Sequence, residues 1–180
     1  MDINILNFFQ NFRSPGLDTF FKYFTALGDH GEIWILICGI FLFTKKYRKA
    51  GFLGLLALLI EAILVMIILK PLFMRLRPFE ELGIDIIIKP PLGSSFPSGH
   101  AASSFAVAFV LYFNKVPYRK VILALATLMA FSRVYLYVHY PSDILFGLFI
   151  GLGIAILLKI YQKEIICFFK PIFVKMKLIK

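Results

Sequence analysis

Charged residues are scarce in this sequence. Only 17% of its 180 residues are Asp, Glu, Lys or Arg, whereas 60% are hydrophobic, and the mean hydropathy is +0.85. Soluble globular proteins use about 25% charged and about 45–50% apolar residues, so this composition excludes an ordinary soluble domain. It predicts an integral membrane protein, and the length predicts a single domain, residues 1–180.

Cysteine is equally rare. Cys38 lies inside an apolar run and Cys167 lies in the C-terminal tail. This pair does not form a disulfide framework, and both residues are expected to be free thiols. The N-terminus lacks a basic n-region, a long h-region and a small-residue cleavage site, so we expect no cleavable signal peptide.

Acidic residues are half as frequent as basic ones, 10 against 20, and the formal net charge is +10. Such a charge could indicate nucleic-acid binding, but the basic residues form short clusters between apolar segments instead of one patch. We therefore expect no nucleic-acid partner and interpret the clusters as topology signals. The sequence also shows no carboxylate cluster suited to a metal ion, so we expect no metal and no other cofactor.

The apolar segments predict an all-α fold, a polytopic membrane bundle of five to six transmembrane helices with an N-terminal amphipathic helix. Residues 2–13 are the amphipathic stretch, too short to span a bilayer. Residues 17–27 either lie at the interface or begin a broken span that continues through residues 32–44, which leaves five and six spans both open. The further predicted helices cover residues 51–69, 98–113, 121–138 and 144–161.

The basic clusters orient the bundle. They occupy residues 45–49, residues 115–120 and the tail from Lys159, which fall on one side if the helices alternate. By the positive-inside rule that side is cytoplasmic. We therefore predict a multi-pass membrane protein, with the charge-balanced loop of residues 71–97 on the extracytoplasmic side.

One stretch places ionisable residues beside membrane-seeking sequence. Residues 131–143 read FSRVYLYVHYPSD and contain Arg133, His139 and Asp143; charges at such positions are costly and by default functional. Pro141 favours the first turn of a helix, which places His139 on the preceding turn and Asp143 in the first helical turn. Asp143 can accept the proton of one imidazole nitrogen, and the other nitrogen is then free to act as a nucleophile. Arg133 would hold an anion.

Two further stretches supply what such a site lacks. Residues 70–78 read KPLFMRLRP, with cations at Lys70 and Arg77 seven residues, about two helical turns, apart. Residues 96–100 read FPSGH and open another apolar helix. Ser98 and the backbone N–H groups after Pro97 would then lie at a helix N-terminus, a natural anion site.

Together the three segments, K-x6-R-P, P-S-G-H and S-R-x5-H-x3-D, resemble the signature of the type 2 phosphatidic acid phosphatase superfamily. The resemblance implies that His139 becomes transiently phosphorylated, that Asp143 orients it and that His100 protonates the leaving group. It also implies a metal-independent reaction, in which cations and a helix N-terminus bind the phosphate. The implied phosphate-binding residues are Lys70, Arg77, Ser98, Gly99 and Arg133.

The resemblance implies a protein of the bacterial inner membrane, whose partner is a membrane lipid phosphate in the bilayer, cleaved at the extracytoplasmic face. Undecaprenyl diphosphate is favoured because the chain is short and lacks a headgroup-binding insertion. Lipid A 1-phosphate, phosphatidylglycerophosphate and phosphatidate are the alternatives. A vanadate-dependent haloperoxidase shares the anion cradle but is soluble, and a non-catalytic membrane scaffold would have lost a catalytic position. The sequence leaves the oligomeric state open.

Several features outside these motifs are ambiguous. Glu61 either pairs within the bundle or lines a substrate path. Asp29 and His30 are interpreted as a polar break or interfacial loop, with a headgroup contact as the alternative. Gly147 and Gly151 form a GxxxG pair that predicts close helix packing.

The predicted topology can be tested with single cysteines introduced into a background that lacks Cys38 and Cys167. Cysteines at residues 45–49 or 115–120 should resist an impermeant thiol reagent in intact cells, whereas cysteines at residues 80–85 should react. The reverse labelling pattern would place the motifs in the cytoplasm.

Overall fold

The computed structural model describes residues 2–175, with side chains as far as residue 171. Every regular element within this range is helical, which confirms the all-α prediction. The α-helices are α1 (Asp2–Gln10), α2 (Pro15–Ala26), α3 (Glu32–Phe43), α4 (Arg48–Ala62), α5 (Lys70–Phe73), α6 (Pro78–Leu82), α7 (Gly99–Phe113), α8 (Arg119–Tyr135), α9 (Pro141–Ile160) and α10 (Gln162–Lys175); a π-helical segment, Ile63–Leu69, joins α4 to α5.

The central helix is α7, which packs against α3, α4, α8 and α9. Residues 101–108 of α7 are all buried. Small side chains at the start of this run let α9 approach closely, as the GxxxG pair predicts. A Cβ atom built on Gly147 would lie 2.8 Å from the carbonyl oxygen of Ser98, and one built on Gly151 would lie 2.6 Å from the backbone nitrogen of Ala106. The predicted close packing is confirmed.

Glycines also allow close packing between α3 and α4. A Cβ atom on Gly51 would lie 2.4 Å from the carbonyl oxygen of Cys38, and one on Gly54 would lie 2.4 Å from the Cys38 sulfur. Cys38 is a buried free thiol and Cys167 an exposed one, as predicted. The two glycines therefore allow α4 to lie directly on the backbone of α3.

The outer surface of the bundle is apolar. Large hydrophobic side chains are exposed on α3, α4, the π segment, α5, α8 and α9, and Ile67 and Leu72 are 68% and 69% exposed. Soluble monomers rarely expose such continuous apolar surface. The run that begins at Arg48 and helix α9 are long and apolar enough to cross a bilayer, while α3 and α7 are shorter apolar helices. These features are those of a membrane protein.

The N-terminal helices are docked onto the bundle. Helix α1 ends at Gln10, earlier than the predicted residue 13, and buries Leu6 against Val134, Tyr137 and Tyr140. After it, α2 and α3 form separate helices, because Gly31 adopts a left-handed conformation with φ 75°. The ambiguous stretch 17–27 is thus helical and packs on α8.

One predicted spacing is wrong. The helix that contains Lys70 ends at Phe73, and Met74 adopts a left-handed conformation with φ 43°. Arg77 then has extended backbone and precedes α6. Lys70 and Arg77 therefore do not lie two turns apart on one helix; a break in the chain separates them.

The glycine contacts predict a difference between two matched substitutions in α9. Gly151→Ala should destabilise the protein by about 1–3 kcal/mol, because its Cβ would overlap the α7 backbone. Gly153→Ala should be neutral or stabilising, since a Cβ there meets nothing within 4 Å and alanine favours a helix. Thermal unfolding in detergent measures both. Equal midpoints for the two variants would contradict the close α7–α9 contact.

Candidate active site

Asp143 lies at the centre of the site. It occupies the first turn of α9, which begins at Pro141 as predicted, and it is fully buried. One carboxylate oxygen accepts hydrogen bonds from the Ser95 hydroxyl at 2.6 Å and from the Tyr140 N–H at 2.9 Å. The other accepts from the Arg75 guanidinium at 2.6 Å. The carboxylate is therefore fixed and its charge is compensated.

His139 lies between a carboxylate and a guanidinium. Its Nδ1 is 3.5 Å from Asp143, and its Nε2 is 3.3 Å from a guanidinium nitrogen of Arg77. Burial lowers the pKa of His139 well below its ordinary value, and the charge of Arg77 acts in the same direction while Asp143 opposes both. The imidazole is thus neutral. In the tautomer protonated at Nδ1, that proton faces Asp143 and the Ser95 hydroxyl, each 3.5 Å away, and the Nε2 lone pair faces Arg77.

Arg77 is held by backbone carbonyl groups. It is 1% exposed, and its guanidinium donates to the carbonyl of Val138 at 2.9 Å. Further donations reach the carbonyls of Leu92, Gly93 and Ser94. These acceptors are neutral, so the positive charge of Arg77 is not cancelled by a bonded carboxylate.

Arg133 occupies the last turn of α8 and is also buried. One guanidinium nitrogen donates to the hydroxyl of Thr25 at 2.5 Å, while its Nε is buried without a partner among the described residues. Its backbone carbonyl accepts from the N–H groups of Val138 and His139. The side chain lies within electrostatic range of His100, His139 and Lys70.

The π segment determines where Lys70 lies relative to Glu61. In a regular α-helix, residues nine apart lie about two and a half turns apart and on opposite faces. A π-helix closes each hydrogen bond over five residues, so it turns less per residue. Lys70 lies within electrostatic range of Glu61, Arg77 and Arg133, and its half-buried ammonium makes no hydrogen bond or ion pair within the described residues.

Ser98 and Gly99 form the N-terminus of α7. The Ser98 hydroxyl accepts from the Ala101 N–H at 3.4 Å and so caps the helix. The Ser98 N–H, expected to be free for an anion, instead donates to the carbonyl of Asp143 at 3.2 Å. A Cβ atom on Gly99 would lie 3.9 Å from Glu61 Oε1, a buried oxygen without a partner among the described residues. Glu61 thus borders the predicted anion site, but neither of its two interpretations is excluded.

His100 follows Gly99 and is mostly buried, with 13% of its side chain exposed. Its Nε2 lies 3.3 Å from a carboxylate oxygen of Asp29, in the turn between α2 and α3. The interpretation of Asp29 as part of a loop is correct. Its contact, however, is with a histidine of the P-S-G-H segment.

The three segments therefore converge, as the family resemblance implies. Contacts from Arg77 to His139 and from Ser98 to Asp143 join them directly. Sequence reasoning missed four residues that support them: Thr25, Asp29, Arg75 and Ser95. Arg75 was counted only as loop charge although it lies two residues before Arg77, and the run of serines at residues 94–98 was the available signal for Ser95.

Known proteins resemble this chain in sequence. The sequence profile of the PAP2 superfamily matches residues 51–167. An undecaprenyl-diphosphatase from Sulfolobus acidocaldarius is 34% identical over 128 residues, which cover 69% of this chain and 61% of that protein. The matched stretch thus spans less than two thirds of that relative's length.

Two solved structures share the fold. LpxE of Aquifex aeolicus has 31% sequence identity and a TM-score of 0.70, covering 87% of this chain and 93% of that one. A transmembrane PAP2-type phosphatidylglycerolphosphate phosphatase from Bacillus subtilis has 28% identity and a TM-score of 0.72, covering 91% and 85%. With the matched profile and the three converging motifs, these similarities confirm the family that the motifs indicated: the chain belongs to the PAP2 superfamily.

Proposed function

We propose that this chain is a membrane lipid phosphatase that removes a terminal phosphate through a phosphohistidine on His139. The observation that carries the proposal is the position of His139 between Asp143 and Arg77. An imidazole held in one tautomer beside an uncancelled cation is suited to attack phosphorus. Membership of a superfamily whose relatives are named phosphatases supports the same activity.

The first step forms a bond between His139 Nε2 and phosphorus as the bond to the lipid oxygen breaks. Asp143 accepts a hydrogen bond from Nδ1–H, which keeps its proton, and stabilises the positive charge that develops on the ring. Because Ser95, Arg75 and Tyr140 fix the carboxylate, the ring keeps its orientation during attack.

Three cations would stabilise the charge on the phosphoryl oxygens. Arg77 and Arg133 are buried and make no ion pair with a carboxylate among the described residues, and Lys70 is likewise unpaired there. The N–H groups of Gly99 and His100 would complete the cradle at the start of α7. Preorganised donors of this kind stabilise a transition state without reorganisation.

His100 would serve as the acid and then as the base. It gives a proton to the departing lipid oxygen, and it later takes a proton from the water that attacks phosphohistidine. Cleavage of the P–N bond then releases inorganic phosphate and returns His139 to its neutral form.

The proposed substrate is undecaprenyl diphosphate, and a lipid A phosphate, phosphatidylglycerophosphate and phosphatidate are the alternatives. The similar proteins carry names that point to more than one of these lipids. The lack of a large headgroup-binding insertion favours the first. A panel of these lipids in mixed detergent micelles, with released phosphate as the readout, distinguishes them.

We further propose one integral domain in the bacterial inner membrane, with the site on the extracytoplasmic face and α1 at the membrane surface. The motifs lie near Lys70, at the start of α7 and at the start of α9. The basic clusters precede α4, follow α7 and begin at the end of α9, which are the opposite ends of those helices. This separation supports the orientation, and five and six spans both remain compatible with it.

His139→Ala should lower kcat by at least a thousandfold, because it removes the nucleophile of a covalent step. The control is His30→Ala, a histidine with an 86% exposed side chain outside the site, which should keep the parent rate. Phosphate release from undecaprenyl diphosphate measures both. Activity of the His139 variant within about tenfold of the parent would overturn the assignment of the nucleophile.

Orthovanadate should inhibit the enzyme, and chelators should leave its activity intact. Vanadate adopts a trigonal bipyramidal geometry like that of the phosphoryl group in transfer, and a site complementary to it binds tightly. Arg133→Lys keeps the charge but loses the guanidinium fork, so it should weaken both turnover and vanadate inhibition. Loss of activity in EDTA with recovery in Mg²⁺ would contradict the metal-independent mechanism. If Arg133→Lys left both turnover and vanadate inhibition unchanged, Arg133 would not be a phosphate ligand.

A further inference from the structure

The turn between α2 and α3 lies directly against His100. Gly28 allows this contact: a Cβ atom built there would lie 3.0 Å from His100 Cδ2 and 2.9 Å from the Met129 sulfur. Hydrogen bonds from the Gly28 N–H to Thr25 and from the Ile33 N–H to Leu27 close the turn. The backbone beside Asp29 is thus held at a fixed distance from the ring.

Asp29 supplies the carboxylate nearest to that ring. Its Oδ1 lies at an ion-pair distance of 3.3 Å from His100 Nε2, which is buried and makes no hydrogen bond of regular geometry within the described residues. The interaction with His100 lowers the pKa of Asp29, and Arg133 adds to this effect while partial burial opposes it. Asp29 is therefore an anion near neutral pH, and it is the one carboxylate in direct contact with His100 among the described residues.

The same segment also holds the phosphate-site arginine. Thr25, one turn before Asp29, accepts the hydrogen bond from Arg133 and lies 3.3 Å from the Ser132 hydroxyl. Both Thr25 and Asp29 precede the stretch, residues 51–167, that matches the superfamily profile. The N-terminal part of this chain therefore contacts two residues of the motif segments.

We propose that Asp29 is a positioning residue for His100, holding Nε2–H so that Nδ1 is presented to the lipid phosphate. This inference rests on the proposed phosphatase function. It gives the site a second aspartate–histidine pair, one for the nucleophile and one for the acid. Asp143 is enclosed and bonded to several donors, whereas the Asp29 side chain is 52% exposed and lies on a turn.

The pair has a defined part in the reaction. As the lipid oxygen leaves phosphorus, the imidazolium of His100 transfers its Nδ1 proton to that oxygen, and the Nε2 proton stays on the ring, facing the Asp29 carboxylate. When water attacks the phosphohistidine, Nδ1 takes back a proton and the P–N bond breaks. A carboxylate on Nε2 stabilises the imidazolium form and selects the tautomer whose Nδ1 is free.

The test uses the full chain in detergent, with undecaprenyl diphosphate as substrate, or phosphatidate if the parent prefers it. Asp29→Asn should lower kcat by about ten- to a hundredfold, a part of what general acid–base catalysis contributes, and leave KM unchanged. The matched control is Glu32→Gln, an equivalent change three residues away whose partner is the exposed His30. That control should keep the parent kcat. Asp29→Glu, which retains a carboxylate, should recover part of the loss.

A double-mutant cycle with His100→Ala separates positioning from a structural role. If Asp29 acts through His100, adding Asp29→Asn to His100→Ala should cause no further loss of kcat. A double variant whose loss of kcat equals the product of the two single losses would overturn the inference. A raised KM with an unchanged kcat in Asp29→Asn would also overturn it, because that result would mark Asp29 as a headgroup contact. If Asp29→Asn lowers the thermal unfolding midpoint, Asp29→Glu is compared with it at the same midpoint. A higher kcat in Asp29→Glu than in Asp29→Asn then supports positioning of His100, and an equal kcat overturns it.

The two proposals fail in different ways. A parent enzyme that releases no phosphate from any lipid overturns the proposed function and the role of Asp29 with it. An active parent with an Asp29→Asn variant of equal kcat overturns the role of Asp29 alone.

Discussion

The site depends on how one buried charge is compensated. Asp143 has no exposure to solvent, and an isolated carboxylate in such surroundings would cost many kcal/mol. Donors from three separate parts of the chain meet this cost: Arg75 after α5, Ser95 before α7 and the backbone of Tyr140 before α9. The contacts that stabilise the carboxylate therefore also assemble the site, because each donor lies in or directly beside a different motif segment.

The buried arginines, in contrast to Asp143, are hydrogen-bonded to neutral groups. Arg77 gives its hydrogen bonds to neutral carbonyls, and Arg133 gives one to a hydroxyl. Both guanidinium groups are thereby oriented without being neutralised, which leaves a concentration of positive charge around His139. Such an arrangement is unfavourable by itself, and a bound anion would stabilise it. The concentration of positive charge is therefore consistent with the phosphate site that we propose.

Local sequence signals predicted the parts of the site that are local in structure. The placement of Asp143 in the first turn of a helix that begins at Pro141, and the start of another helix after Pro97, were both predicted from the sequence. The contact from Arg75 to Asp143 joins residues 68 positions apart, and the contact from Asp29 to His100 depends on how α2 docks. Hydrophobic periodicity carries no information about such pairings. Nor does it show that Met74 adopts a left-handed conformation and ends the helix after Phe73, which is why the helical spacing of Lys70 and Arg77 was predicted wrongly.

The π segment has a consequence for insertions and deletions. Residues 63–69 read ILVMIIL, and apolar side chains of such similar size can replace one another with little loss of stability. The π segment holds more residues per turn than an α-helix does, so the removal of one residue can be absorbed by a return to α winding that leaves Lys70 on the side of the arginines. An added residue has no such outlet, because the segment is already π-wound, and it would turn Lys70 away from the arginines. Between Glu61 and Lys70 the chain should therefore tolerate a deletion better than an insertion.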